Sequence, residues 1–280
     1  MRRPDLHLHT TASDGIYAPA QVAYLAQKAD ITFFSVTDHD TVDGIPEASK
    51  AANERGIAFV PGVEISTEGD AEVHVLGYGV DAQSPRLAAF FQQMAQQRVD
   101  RARKMARKLD ALGHPVDIEE IIAKAGSSVG RPHLARALMQ DGVVGSVQEA
   151  FEKYLGSRCP AYVPRERLAA SEAIALLRRE GAVPVLAHPA LIPWPMERLL
   201  PLIKAWQEAG LMGIEVYHPA NSAIYSSLDR LARQRGLLVT GGSDFHDGVG
   251  HGQIGETIAA WPTACEDAWA LYSAIRQDKN

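Results

Sequence analysis

The chain has 280 residues, 46% of them hydrophobic and 22% charged, with 28 Lys plus Arg against 34 Asp plus Glu for a formal net charge of -6. This is ordinary globular composition with room for a large core, and its acidity disfavours a grip on long nucleic acid by bulk charge. No apolar run approaches the roughly 18 residues of a membrane span, no apolar leader precedes His7 and His9, and Cys159 and Cys265 are too few for a disulfide framework, so a soluble, cytoplasmic protein is expected.

Taken in chain order, Leu6-His7-Leu8-His9 alternates, which sends both imidazoles from one face of a strand. A helix is predicted over 19–29, then a strand in Phe33-Phe34-Ser35-Val36 that runs into Thr37-Asp38-His39. A second helix over 45–55 precedes the run Ala58-Phe59-Val60-Pro61-Gly62-Val63-Glu64, and Val73-His74-Val75-Leu76-Gly77-Tyr78 forms a fourth run. The pattern then changes: a long helix over 85–112 and shorter ones over 118–125, 132–140 and 147–155 carry no strand signal. Strands resume at 183–188, 213–218 and 237–240, each again separated by helix, and the last runs on to Asp244 and His246. The expected organisation is an alternating β/α domain, residues 1–80 and 158–280, interrupted by a helical insertion, residues 81–157. The insertion holds 11 Lys/Arg and 9 Asp/Glu, a net of +2, which leaves -8 on the remainder. The acidic part would hold cations and the insertion would supply an anion site.

Seven β/α units whose strands end in His, Asp or Glu point to a barrel with its chemistry at the rim where the strands end. A lone histidine on a strand is ordinarily a satisfied structural residue. Here His-x-His, Asp-His, a strand-end Glu, a strand-end His and Asp-x-His occur together. The candidate ligands are His7, His9, Asp14, His39, Glu64, His74, His188, Asp244 and His246. Mixed imidazole and carboxylate donors without thiolate suit manganese, iron or zinc, and at three or four ligands per ion these would hold two or three ions.

His7-Leu8-His9-Thr10 with Ser13-Asp14-Gly15, Thr37-Asp38-His39-Asp40, Pro61-Gly62-Val63-Glu64, Val73-His74-Val75, Ala187-His188-Pro189 and Gly242-Ser243-Asp244-Phe245-His246 resemble, in order, the motifs of the PHP (polymerase and histidinol phosphatase) superfamily. The resemblance implies a distorted seven-stranded β/α barrel and a phosphoesterase site with three divalent metal ions, manganese first. It places His7, His9, Glu64 and Asp244 on one ion, Glu64, His74 and His188 on a second, and Asp14, His39 and His246 on the third. Asp14 stands where many relatives have His.

Gly130-Arg131-Pro132-His133, after a long helix bearing arginines, resembles the branch that acts on nucleoside 3′,5′-bisphosphates and, as a 5′-to-3′ exonuclease, on short 5′-phosphorylated RNA. The expected activity is removal of the 3′-phosphate from a nucleoside 3′,5′-bisphosphate. The exonuclease is the alternative, histidinol phosphatase comes third, and a vestigial metal-binding fold that docks a partner is the non-enzymatic option. The expected partner is a small phosphorylated nucleotide or short RNA; neither a membrane nor a protein partner is inferred. Arg131 is a candidate phosphate clamp, since a guanidinium fork matches a phosphate edge. Arg98 and Arg101, one helical turn apart, are candidates for the phosphate that is not cleaved. His133, also a candidate for substrate binding, and His218 are candidates for protonating the leaving oxygen. His114 and His251 have no assigned part.

Overall fold

Runs of β-branched and aromatic residues form the sheet in the computed structural model, which describes residues 3–67, 71–125, 129–164, 168–248 and 252–277. Seven strands lie side by side in chain order: β1 (Pro4–Asp5), β2 (Phe33–Val36), β3 (Ala58–Thr67), β4 (Val73–Tyr78), β5 (Val183–Leu186), β6 (Gly213–Tyr217) and β7 (Leu238–Gly241). β1, β2 and β3 pair in parallel, as do β5, β6 and β7. β4 runs antiparallel to both neighbours, which corrects the expectation of a uniform β/α repeat. The chain between Thr67 and Val73 is too short for a parallel crossover, which takes a dozen or more residues.

The ladder of β1 covers only Pro4 and Asp5, and the predicted strand at 6–9 continues it as extended chain held on both sides. Leu6 N donates to Gly241 O (3.1 Å), Asp244 N to His7 O (2.9 Å) and His9 N to Phe245 O (2.9 Å), while Thr37 N donates to Leu8 O (2.9 Å). The Leu8–Phe245 bridge thus joins the first and last strands and brings the barrel nearly to closure. The seam demands a residue without a side chain. A Cβ on Gly242 would sit 2.5 Å from the nitrogen of His7 and 2.9 Å from its Cα.

Helices α1 (Pro19–Lys28) and α2 (Ile45–Arg55) pack on β1–β3 through Ala23, Ala26, Ala48, Ala51 and Ala52, small enough to seat them closely on Phe34, Val36 and Phe245. The chain divides into two compact units, Met1–Leu87 with Arg167–Asn280, and Ala88–Glu166. The sequence put the joins at 81 and 157. The difference at the first join arises because helix α3 (Pro85–Ala111) begins on the barrel: Leu87 is fully buried, and Ser84 and Arg86 bond Glu180. In the second unit α3, α4 (Ile118–Ala125), α5 (Arg131–Gln140) and α6 (Val147–Ala150), which runs on as a π-helical turn to Leu155, gather around Met105, Leu109, Leu134, Leu138 and Leu155. Helices α7 (Ala170–Arg179), α8 (Met196–Glu208), α9 (Tyr225–Gln234) and α10 (Ala264–Gln277) complete the barrel unit. Among the described residues no helix is long and apolar enough to cross a membrane.

Candidate metal centre

The reversal of β4 is what completes the histidine cluster. His74 lies near the start of β4, opposite Ser66 near the end of β3, so the antiparallel hairpin returns it to the rim where the parallel strands end. His7 and His9 follow β1, His39 follows β2, Glu64 lies in β3, His188 follows β5, and Asp244 and His246 follow β7.

Glu64 is the hub, with its side chain 1% exposed. Its Oε2 lies 3.3 Å from His7 Nε2, 3.3 Å from His9 Nε2 and 3.0 Å from His39 Nδ1. Its Oε1 lies 2.9 Å from His74 Nδ1 and 3.0 Å from His188 Nε2. Asp244 Oδ1 lies 3.3 Å from His7 Nε2 and 3.2 Å from His9 Nε2. Asp14 meets His246 Nε2 at 3.2 Å and His39 Nε2 at 4.0 Å. Ligand atoms within 4.8 Å of one another form four groups: His7–His9–Glu64, His39–Glu64–His74, His9–Asp14–His39–His246, and His7–His218–Asp244. Eight of the nine predicted ligands fall in these groups, and the ninth, His188, adjoins them through Glu64 Oε1 at 3.0 Å. The grouping differs in detail from the sets implied above, since His39 also shares Glu64 with His74, and His218 joins Asp244.

The donor set fits divalent ions. His7 and His9 face each other through their Nε2 atoms at 3.1 Å. His7 Nδ1 lies 2.9 Å from Glu215 Oε1, so the ring proton belongs there and Nε2 offers a lone pair. His39 Nδ1, His188 Nδ1, Glu64 Oε2 and Asp14 Oδ1 are buried and meet no hydrogen bond of ordinary geometry. Orphaned polar atoms at such density are costly unless a cation faces them. Without a metal, protons take its place. Burial disfavours the charged imidazole of His9, but Asp244 and Glu64 outweigh it and raise the ring to about 10. Burial likewise opposes His74, and Glu64 with Glu72 raises it to about 9. Burial also opposes ionisation of Glu64 and Asp244, yet the surrounding imidazoles hold both carboxyls well below their usual range.

Backbone strain accumulates at the same rim. His188 (φ 24°), Asp244 (φ 54°) and Asp40 (φ 51°) adopt positive φ, a conformation that L side chains occupy at a cost of order 1–3 kcal/mol. Asp38 is buried and accepts from Thr10 N (2.7 Å), Thr10 Oγ1 (2.8 Å) and Ser13 Oγ (2.6 Å), which fixes the turn that carries Asp14. Asp5 accepts from Ser243 N (3.0 Å), Ser243 Oγ (2.8 Å) and Gly255 N (2.7 Å) at the seam. Sequence reasoning missed Glu215, buried in β6; the available signal was a carboxylate inside the apolar run Gly213-Ile214-Glu215-Val216-Tyr217.

The remaining candidates lie in the helical unit, except His218. Arg98 and Arg101 are on α3, Arg131 and His133 in the first turn of α5. Arg101 Nε donates to Val163 O at 2.7 Å, and its guanidinium lies 5.5 Å from the centre of the Tyr162 ring. Arg131 lies 5.4 Å from Phe151 and 6.0 Å from Tyr162, so the two arginines converge on one aromatic residue that sequence reasoning did not single out. His133 Nδ1 accepts from Gly130 N at 3.2 Å and caps the helix start. Of the other cations on α3, Arg103 is paired with Glu119 and Lys108 donates to Tyr162 O. His114 bonds the Tyr154 hydroxyl at 3.0 Å, and His251 lies outside the described residues.

A nearly closed β/α barrel with a buried His/carboxylate cluster at its rim is the architecture of a metal-dependent phosphoesterase, a hydrolase of phosphate esters. The chain belongs to the PHP domain family, whose pattern matches residues 5–157. It is 34% identical to a 3′,5′-nucleoside bisphosphate phosphatase from Chromobacterium violaceum over 96% of both chains. It is 33% identical to a 5′-3′ exoribonuclease from Escherichia coli over 96% of this chain and 93% of the relative. Among solved structures, a protein described as a metal-dependent phosphoesterase from Bifidobacterium adolescentis superposes with a TM-score of 0.86 at 28% identity, covering 98% of this chain and 96% of the other.

Proposed function

We propose that this protein is a phosphatase of nucleoside 3′,5′-bisphosphates that removes the 3′-phosphate and leaves the 5′-monophosphate, acting in the cytoplasm with three divalent ions, manganese foremost and iron or zinc as alternatives. The observation that carries the substrate is the 34% identity to the bisphosphate phosphatase across 96% of both chains. His7, His9, Glu64 and Asp244, then Glu64, His74 and His188, then Asp14, His39 and His246 are the sets that would hold the ions. Bound there, divalent ions supply a nucleophilic water of lowered pKa and charge stabilisation at the phosphoryl oxygens. The chain's own part is to position: Glu64 ties the sets together, and strained His188 and Asp244 keep their donors on the rim. Arg131 would clamp the phosphate and Arg98 and Arg101 the one that is retained, as planar guanidinium forks suit phosphate edges.

The exoribonuclease reading follows closely, supported by the 33% identity to the Escherichia coli enzyme. Both reactions cleave an ester on a 3′-oxygen beside a 5′-phosphate. Purified protein with manganese and adenosine 3′,5′-bisphosphate, with products resolved by chromatography beside a phosphate assay, separates them. AMP plus inorganic phosphate supports the phosphatase. Adenosine 3′-phosphate would reverse the orientation of the substrate. Absence of turnover with metal bound, together with release of mononucleotides from short 5′-phosphorylated RNA, would replace the phosphatase with the exonuclease.

A further inference from the structure

Of the seven described strands, β6 is the one that contributes none of the nine predicted ligands. Glu215 within β6 and His218 just after it nevertheless reach ligands that three other strands supply. Glu215 is fully buried and both of its oxygens are engaged: Oε1 accepts from His7 Nδ1 at 2.9 Å, and Oε2 from the backbone N–H of His188 at 2.8 Å. His218 Nδ1 accepts the backbone N–H of Ala220 at 3.1 Å, so the ring proton resides on Nε2, which faces Asp244 Oδ2 at 3.3 Å. Asn221, also fully buried, fixes this segment: its Nδ2 donates to Glu215 O (2.9 Å) and Val216 O (3.1 Å), and its Oδ1 accepts from Ala190 N (3.0 Å) in the loop after β5.

Building on the metal-dependent reading above, we infer that Glu215 and His218 are positioning residues: Glu215 sets the tautomer of His7 and the seat of His188, and His218 holds Asp244 by one oxygen while the other faces His7 and His9. The chemistry of imidazole supports both halves. A histidine ligates through Nε2 only when its proton sits on Nδ1, and a carboxylate accepting that proton orients the ring. His7 has that arrangement. His218 has the opposite one, because a backbone N–H already occupies the Nδ1 lone pair. Its Nε2 therefore carries a proton and has no lone pair for a metal, although the ring stands within the His7–His218–Asp244 group. That proton is directed at Asp244, which gives His218 a different part from the proton donor to the leaving oxygen expected from sequence.

The test is manganese binding, read as stoichiometry and affinity by equilibrium dialysis with elemental analysis, beside the pH profile of kcat. Glu215→Gln preserves shape but offers one acceptor where two N–H groups point, so either His7 or His188 meets a donor. Its affinity for at least one ion is expected to fall about 10–100-fold, the usual effect of losing an outer partner of a metal ligand. Asn221→Ala, which leaves Glu215 in place but frees its backbone, is expected to weaken binding in the same direction and serves if the first variant does not fold. His218→Gln keeps an amide donor where Nε2 stood and is expected to retain the full stoichiometry and the shape of the pH profile, whereas His218→Ala loses affinity. Wild-type affinity in both Glu215→Gln and Asn221→Ala overturns the part given to Glu215. Loss of a whole ion in His218→Gln makes His218 a ligand, and loss of the alkaline limb makes it a proton donor; either overturns its part. A wild-type protein that binds no manganese, iron or zinc defeats the metal-dependent reading itself, and this inference with it.

Discussion

Replacing Gly242 by Ala tests whether the seam between the first and last strands positions the metal ligands. The new Cβ would meet His7 N at 2.5 Å and its Cα at 2.9 Å, with the His7 Cβ closer still. Non-bonded heavy atoms rest at about 3.5–4.0 Å, so the backbone of His7 must retreat by about 1 Å. Neither contact is the free end of a flexible side chain, and Gly242 is not among the residues at positive φ, so alanine is admissible to the backbone and the cost is steric. Overpacking of this kind costs about 1–3 kcal/mol. Stretching the Asp244 N–His7 O bond at 2.9 Å adds about 0.5–1.5 kcal/mol. Together these amount to about 2–4 kcal/mol, or roughly 5–15 °C of Tm for a unit of this size. A ligand displaced by about 1 Å also costs on the order of 100-fold in rate. Gly236→Ala is the control: its φ is 65° and no neighbour lies within 4 Å, so it should lose about 1 kcal/mol to left-handed strain and keep its metal affinity. Thermal melting and manganese titration of both variants decide the matter. A Gly242→Ala protein with wild-type Tm and affinity would refute the positioning argument.

Three further predictions follow the same physics. In the metal-free protein His9 and His74 titrate at about 10 and about 9, above the usual 6.5. Their folded-state values are raised, so the stability they contribute is complete below about pH 6.5 and is lost as pH climbs through 9 to 10. Metal binding at pH 7.5 must accordingly expel protons from both rings, which calorimetry in buffers of different ionisation enthalpy measures; binding heats independent of buffer would contradict it. Asp38→Asn turns one acceptor of the Thr10–Ser13 turn into a donor, and is expected to cost about 1–3 kcal/mol and to weaken metal binding at the site proposed for Asp14. Unchanged melting and stoichiometry would show that the turn does not depend on that carboxylate. Arg98→Ala and Arg101→Ala should raise KM for adenosine 3′,5′-bisphosphate at least tenfold more than for p-nitrophenyl phosphate, at about 1.4 kcal/mol for each factor of ten. Equal effects on the two substrates would remove the arginines from phosphate binding.

The clustering of these histidines and carboxylates was legible because metal chemistry restricts residue types, and alternation fixes faces: His7 and His9 could only leave one side of an extended segment. The barrel was legible from its alternating elements, yet the direction of β4 was not taken from periodicity, which is blind to strand polarity. The short chain from Thr67 to Val73 carried that information. Glu215 is not marked by position, because a residue that supports a ligand from behind need not stand at a strand end. His218 was visible as a spare histidine, but its tautomer depends on the backbone N–H of Ala220, a contact no spacing rule reveals. The convergence of Arg101 and Arg131 on Tyr162 depends on packing between segments distant in sequence, beyond the reach of helical periodicity.

The seam has a consequence for biosynthesis. Asp5 bonds Ser243 across 238 positions, and His7 finds Asp244 only beside that bond. At about 5–20 residues per second, a ribosome needs roughly 10–50 s between making one side of the centre and the other. During that time His7 and His9 lack the Asp244 carboxylate that each faces in the folded chain. The cluster therefore cannot be completed until synthesis has passed Asp244 and His246.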